Sequence, residues 1–110
     1  MSEFLFILGA LLFCHFLADY PLQGDFLARA KNHVDPIPNV SWRHALFAHS
    51  FIHAGFVYLV TGQPLFFFIE LIGHAIIDHE KCKGELTFNM DQAIHLSMKV
   101  IYALVLIFIL

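Results

Sequence analysis

Four apolar segments of this chain each carry two metal-binding side chains spaced four residues apart. In the third segment the pair is His74 and Asp78, which lie on one face of an α-helix, one turn from each other. The same spacing recurs in the other three segments, as His15/Asp19, His49/His53 and Asp91/His95. Ionisable groups are costly in an apolar environment, so we expect all four pairs to face a shared interior.

The composition is that of a small integral membrane protein with a single domain over residues 1–110. Hydrophobic residues make up 59% of the chain and the mean hydropathy is +0.72, which is too apolar for an ordinary soluble domain of this size. Glu3 stands where a signal peptide would carry positive charge, so the first apolar segment is read as a retained span. The sequence has no basic face, so we do not expect a nucleic-acid partner. The expected partner is the lipid bilayer, and the composition leaves open whether the chain forms a homo-oligomer.

We predict an all-α polytopic membrane protein, a bundle of four transmembrane helices with a short interfacial helix between spans one and two. The predicted spans are Phe4–Tyr20, Trp42–Val60, Leu65–Lys81 and a fourth that ends at Leu110. Each has about 17–20 residues, enough for a hydrocarbon core of ~30 Å. Ser41 is expected to cap span two, and Asn89 with Gln92 resembles a capping box at the start of span four. The interfacial helix covers Phe26–Lys31.

The positions of lysine and arginine predict the orientation. The basic residues fall in two connections, with Arg29, Lys31 and Arg43 between spans one and two and Lys81 and Lys83 between spans three and four. The connection between spans two and three has no charge. The first and third connections should therefore be cytoplasmic, with both termini outside, in what we expect to be a bacterial inner membrane. All four pairs then fall in one layer of the cytoplasmic half.

A divalent metal would balance the negative charge of the carboxylates in this layer, because carboxylates stay ionised and imidazoles stay neutral when they bind a cation. One such pair alone could be a structural hydrogen bond, but four pairs at one depth favour metal binding. Facing helices build two-metal carboxylate sites in this way in soluble bundles. The donors suit zinc best, with manganese or iron as alternatives, at one or two ions per chain. The predicted ligands are His15, Asp19, His49, His53, His74, Asp78, Asp91 and His95.

The combined motifs resemble a family of small phage and bacterial membrane proteins of unknown function. The resemblance rests on His15-x3-Asp19-Tyr20-x-Leu22-Gln23, Lys31-Asn32, His49-x3-His53, His74-x3-Asp78-x2-Lys81 and Asp91-Gln92-x2-His95. More distantly, Arg43-His44-x4-His49-Ser50 followed by His74-x3-Asp78 is similar to the membrane-bound metal-dependent hydrolases. In that family an arginine follows the first histidine and a threonine precedes the second, whereas here Arg43 precedes His44 and Ala48 takes the threonine's place.

The first hypothesis is a membrane-embedded metal-dependent hydrolase that acts on a lipid or lipid-linked ester, including phosphoesters, at the cytoplasmic face. Asp91 would be a ligand or the general base, and a metal would activate water as the nucleophile. The candidate substrate-binding residues are Gln23, Lys31, Arg43, Lys81 and Gln92.

Two other hypotheses compete with the hydrolase. A non-enzymatic, metal-stapled phage membrane protein could modify the host envelope or exclude other phages. An enzyme needs an open coordination position and a path to it, whereas a staple has a closed site. A metal or proton carrier needs a polar route across the whole bilayer, and the outer halves of the spans offer almost none.

Overall fold

The structure, a computed structural model, describes residues 1–110 and contains five α-helices and no strand. This confirms the all-helical fold predicted from the sequence. Four helices are long and one is short: α1 (Ser2–Asp19), α2 (Gly24–Ala30), α3 (Trp42–Thr61), α4 (Pro64–Cys82) and α5 (Phe88–Phe108).

The residues at the helix ends agree with the caps predicted from the sequence, with one exception. The Ser41 hydroxyl accepts the backbone N–H of His44 and so caps α3, as expected. Gly62 ends α3 in the left-handed conformation, with φ +69°, which costs glycine little. The capping box at Asn89 is wrong: α5 begins at Phe88, and the Thr87 hydroxyl accepts the backbone N–H of Met90. The cap lies two residues earlier, and the Gln92 side chain is left free to reach the helix interface.

The four long helices form an elongated bundle measuring 48 × 23 × 22 Å. α1 packs against α3 and α5, and α4 packs against the same two helices, so the four close into a ring. The turn between α3 and α4 is so short that the two helices are antiparallel. α2 lies against α3 at the end of the bundle where α1 ends and α3 begins. This topology brings the C-terminal ends of α1 and α4 beside the N-terminal ends of α3 and α5.

Burial in this bundle is the reverse of that in a soluble protein. Twelve of its 22 buried residues are polar or charged, while large apolar side chains such as Phe6, Phe13 and Leu59 are mostly exposed. Soluble domains bury mainly apolar side chains and keep charged ones in water. The polar interior lies at the end of the bundle that carries α2. An apolar cluster of Leu11, Val57, Phe66, Tyr102 and Ala103 fills the other half.

Two of the helices, α1 and α5, are long and apolar enough to cross a membrane. α3 and α4 have similar lengths, but polar residues reduce their hydropathy. Several of those residues are buried: His49 and His53 in α3, and Glu70, His74 and Asp78 in α4. These side chains lower the mean hydropathy of α3 and α4 even though they point into the bundle and away from its outer surface.

Candidate metal centre

Five imidazoles form one layer inside the bundle, which we call the histidine layer: His15, His49, His53, His74 and His95. Each is at most 1% exposed. The rings of His53 and His74 stack with centroids 3.8 Å apart, and those of His74 and His95 with centroids 4.2 Å apart. All four long helices contribute a histidine, because each pair predicted from the sequence does face the interior.

Three aspartates form a second layer one turn nearer the α2 end, which we call the carboxylate layer: Asp19, Asp78 and Asp91. Asp19 Oδ1 lies 2.9 Å from His53 Nε2 and 3.2 Å from His49 Nε2. Asp78 Oδ2 lies 3.4 Å from His74 Nε2. The carboxylates thus approach the imidazoles from three helices, as ligands of a shared cation would.

Three sets of donor atoms are close enough to hold a metal ion, and two of them combine histidine with the aspartates of the carboxylate layer. Asp19, His49, His53 and His74 offer one donor atom each, all within 4.8 Å of one another. Asp78, Asp91 and His95 form a second set by the same measure. The two sets adjoin, since His49 Nε2 is 3.5 Å from Asp78 Oδ2. Buried histidine and aspartate groups in this fold could therefore hold a metal ion.

Several buried polar atoms in the two layers lack a hydrogen-bond partner, which fits a cation. Both ring nitrogens of His49 are without one, as are Nε2 of His74, Nε2 of His95 and Oδ1 of Asp91. Such atoms are costly to bury unless something binds them. His95 Nε2 lies 3.3 Å from Asp91 Oδ1, yet the geometry makes no hydrogen bond. A divalent cation in the two layers would give Nε2 of His49, of His74 and of His95 the partner that each lacks.

His15 is placed differently from the other four histidines. Its Nε2 lies 3.0 Å from the Gln92 side-chain oxygen and 3.4 Å from Asp19 Oδ2. The Gln92 amide in turn donates to Asp19 Oδ2 at 2.8 Å. His15 therefore belongs to the layer but stands outside both donor sets, and Gln92 links it to Asp19. Its predicted role as a ligand remains a prediction.

A polar cavity of about 140 Å³ adjoins the carboxylate layer. All three aspartates reach it, and exposed Tyr20 and Phe88 stand at its outer edge. Four of the five predicted substrate-binding residues line it: Gln23, Lys31, Lys81 and Gln92. We call this space the rim cavity. The fifth residue, Arg43, is exposed, lies against the ring of Trp42 and does not line the cavity.

Two lysines supply positive charge to the rim cavity. Lys31 is buried, and its ammonium donates to Asp78 Oδ2 at 2.7 Å and to the Gln23 side-chain oxygen. Lys81 is partly exposed, with its ammonium 4.0 Å from Asp91 Oδ2. The partner of Asp78 is therefore Lys31 from the end of α2, and not the sequence neighbour Lys81.

Sequence reasoning missed two buried residues below the histidine layer, Glu70 and Lys99. The Lys99 ammonium donates to Glu70 Oε1 at 2.8 Å, and Glu70 Oε2 lies 3.1 Å from His74 Nδ1. The signal was present in the sequence. Both residues extend a pair by a further four positions, giving Glu70-x3-His74-x3-Asp78 and Asp91-x3-His95-x3-Lys99.

Three histidines stand apart from the centre, nearer the surface. His33 stacks on His79 with ring centroids 3.7 Å apart, and both rings lie near Trp42. Desolvation of His33 in this stack lowers the pKa of its imidazole, and the nearby His79 and Lys83 lower that pKa further. His44 is exposed on the first turn of α3 and lies in neither donor set.

Comparison with known proteins places the chain in a family without adding a function. No curated protein matches the sequence. No solved structure matches it either. One family profile matches residues 7–109, nearly the whole chain, and its description names no hydrolase. The chain therefore belongs to the family described as "Protein of unknown function (DUF3307)".

Proposed function

We propose that this protein is a membrane-embedded metal-dependent hydrolase that acts on an anionic lipid or lipid-linked ester, with a phosphoester as the preferred class. The observation that carries the proposal is the rim cavity. It joins the carboxylates of the candidate metal centre to the outside of the bundle and places Lys31 and Lys81 beside them. A centre that served only as a staple would not need such a cavity.

The reversed burial supports four membrane spans. The polar residues that reduce the hydropathy of α3 and α4 lie inside the bundle, so the outer surface of all four helices can face lipid. The basic residues of the connections lie at the α2 end of the bundle, and two of them, Lys31 and Lys81, line the rim cavity. By the positive-inside rule that end is cytoplasmic, and both termini are outside.

Charge and size support an anionic head group as the part of the substrate that enters. A cavity of about 140 Å³ holds a small polar group and not a whole lipid. The Lys31 and Lys81 ammonium groups would attract a phosphate or carboxylate. Tyr20 and Phe88 at the outer edge suit the membrane interface, where aromatic side chains contact the rest of a lipid molecule.

Different residues would bind the metal, accept the proton and hold the anionic group. The histidine layer with Asp19 and Asp78 would hold zinc, or manganese or iron, and such a cation would polarise an ester and lower the pKa of nearby water. Asp91 is 2% exposed, lines the rim cavity, and has one oxygen without a hydrogen-bond partner. That oxygen is the acceptor we assign for the proton of the attacking water. Lys31 and Lys81 would hold the anionic group.

A metal or proton carrier is less well supported. The half of the bundle away from the rim cavity is filled by an apolar cluster that includes Leu11, Val57 and Phe66. Transport would require a polar route through these side chains. The non-enzymatic staple predicts metal without turnover, so activity measurements separate it from the hydrolase.

The test uses full-length protein purified in detergent without chelator. Elemental analysis should find one or two transition-metal ions per chain, and a metal-dependent screen against phospholipids and lipid-linked phosphoesters should detect hydrolysis. Asp91→Asn should abolish turnover, and Asp25→Asn, which alters an exposed aspartate on α2, should not. Stoichiometric metal without turnover on any substrate class would favour the staple. No metal, even on titration, would reject both.

A further inference from the structure

Glu70 and Lys99 form a buried ion pair one turn below the histidine layer. The Lys99 ammonium lies 2.8 Å from Glu70 Oε1, and the two side chains are 1% and 2% exposed. Removing two charges from solvent is expensive, and a well-packed apolar pair in their place is often as stable or more so. Stability alone is therefore a weak explanation for this pair.

The second oxygen of Glu70 contacts a predicted metal ligand. Glu70 Oε2 lies 3.1 Å from His74 Nδ1. An ionised carboxylate can only accept hydrogen bonds, so the proton of the neutral imidazole must be on Nδ1. Nε2 is then left as a bare acceptor. It is buried, has no hydrogen-bond partner, and lies 3.4 Å from Asp78 Oδ2.

We propose that Glu70, held in place by Lys99, is a positioning residue that fixes His74 in its Nδ1–H tautomer and presents Nε2 to the metal. Carboxylates that orient metal-binding histidines in this way also raise the basicity of the ligand nitrogen. The inference rests on the metal centre of the proposed function and does not depend on which reaction, if any, the centre catalyses.

Glu70 could instead be a ligand itself, because its carboxylate lies within 4.8 Å of donor atoms of His74 and His95. Two contacts oppose that role. The Lys99 ammonium donates to one oxygen, and the imidazole N–H of His74 donates to the other. Both oxygens of Glu70 thus have donors already, whereas Lys31 donates only to Oδ2 of Asp78 and leaves Oδ1, 3.5 Å from His95 Nε2, for a cation. The metal should therefore lie on the Asp78 side of His74.

The experiment compares Glu70→Gln, Lys99→Met and the double variant with wild type, all as full-length protein in detergent. Tyr102→Phe is the matched control, because Tyr102 is buried beside Lys99 and its hydroxyl has no hydrogen-bond partner. Three readouts are needed: the tautomer of His74 from ¹⁵N ring shifts in metal-free protein, the affinity for Co²⁺ from its visible absorption, and the melting temperature.

Wild type and Tyr102→Phe should show the Nδ1–H tautomer and the same Co²⁺ affinity. Glu70→Gln should give a mixture of tautomers and about 10- to 100-fold weaker Co²⁺ binding, with the number of ions per chain unchanged. The double variant removes both charges, so it should regain thermal stability that either single variant loses. It should not regain Co²⁺ affinity.

Three results would overturn the proposal. The first is an Nε2–H tautomer of His74 in the wild type. The second is a double variant that regains both stability and Co²⁺ affinity, which would make the pair purely structural. The third is the loss of a bound ion in Glu70→Gln, which would make Glu70 a ligand. Failure to find a hydrolysed substrate would count against the proposed function only and would leave these measurements unaffected.

Discussion

The Lys31 ammonium lies 2.7 Å from Asp78 Oδ2, which joins the end of α2 to the carboxylate layer across 47 residues of sequence. Both side chains are almost fully buried, at 9% and 4% exposed. Lys31 therefore supplies a positive charge beside oxygens that we assign to a metal. The pair connects the predicted interfacial helix directly to the centre of the bundle.

Loss of Lys31 should destabilise the metal-free protein much more than the metal-loaded protein. Lys31→Met leaves the Asp78 charge buried and unpaired, which typically costs about 3–5 kcal/mol. A bound divalent cation would balance that charge, so adding metal should restore the free energy of unfolding. Chemical denaturation with and without Zn²⁺ measures both values.

Lys83→Met is the control for this experiment, because Lys83 pairs with Glu80 at 3.7 Å on the surface. Removing such a pair should change stability by no more than about 1 kcal/mol. Asp78→Asn should reduce both stability and metal affinity, since metal-binding energy is also folding energy. Equally small effects of Lys31→Met and Lys83→Met would mean that the buried pair carries no such role.

Gln92 should matter for the shape of the centre as well as for the rim cavity. Its side chain contacts His15 Nε2 at 3.0 Å and donates to Asp19 Oδ2 at 2.8 Å. Gln92→Leu leaves those groups unsatisfied, and we expect a loss of about 1–3 kcal/mol of stability, measured by denaturation. Ser97→Ala removes an exposed hydroxyl from the same helix and should be nearly silent. Equal stability of the two variants would contradict the assignment.

Four membrane spans predict which positions are accessible from each side. Cys14 and Cys82 are first replaced, and single cysteines are then placed at Asn32, Gln63, Glu85 and Leu110. An impermeant maleimide added outside intact cells should label positions 63 and 110 and leave 32 and 85 unlabelled. Labelling of position 110 from the cytoplasm only would reverse the orientation. Labelling of 63 and 85 from one side would exclude α4 as a span.

His33 should titrate below the ordinary histidine pKa of about 6.5. Its pKa is lowered by desolvation in the stack, by His79 and by Lys83, so the folded state takes up this proton less readily than the unfolded state. The stability that the stack contributes is therefore present above pH ~6.5 and is lost as the pH falls. NMR titration of the His33 ring measures the midpoint. Lys83→Gln should raise it, and a midpoint at or above 6.5 in the wild type would refute the prediction.

The sequence by itself determined the helices and the side of each that faces inward. Hydropathy and helix-breaking residues gave the long helices to within a few residues, because those signals are local. The spacing of four between His74 and Asp78 put both on one face wherever the helix packed. The cap of α5 was misplaced because Thr87 and Asn89 are both good capping residues, and only the packed helix shows which one accepts its backbone N–H.

Only the tertiary structure decided which groups meet across helices. Lys31 and Lys81 are both basic, and the sequence does not show which of them contacts Asp78. The position of α2 brings Lys31 to Asp78, and Lys81 lies nearer Asp91. Arg43 looked like the other basic rim residues, yet it lies on the outer surface of α3. Such pairings depend on helix rotation and on contacts between residues tens of positions apart, which no local pattern specifies.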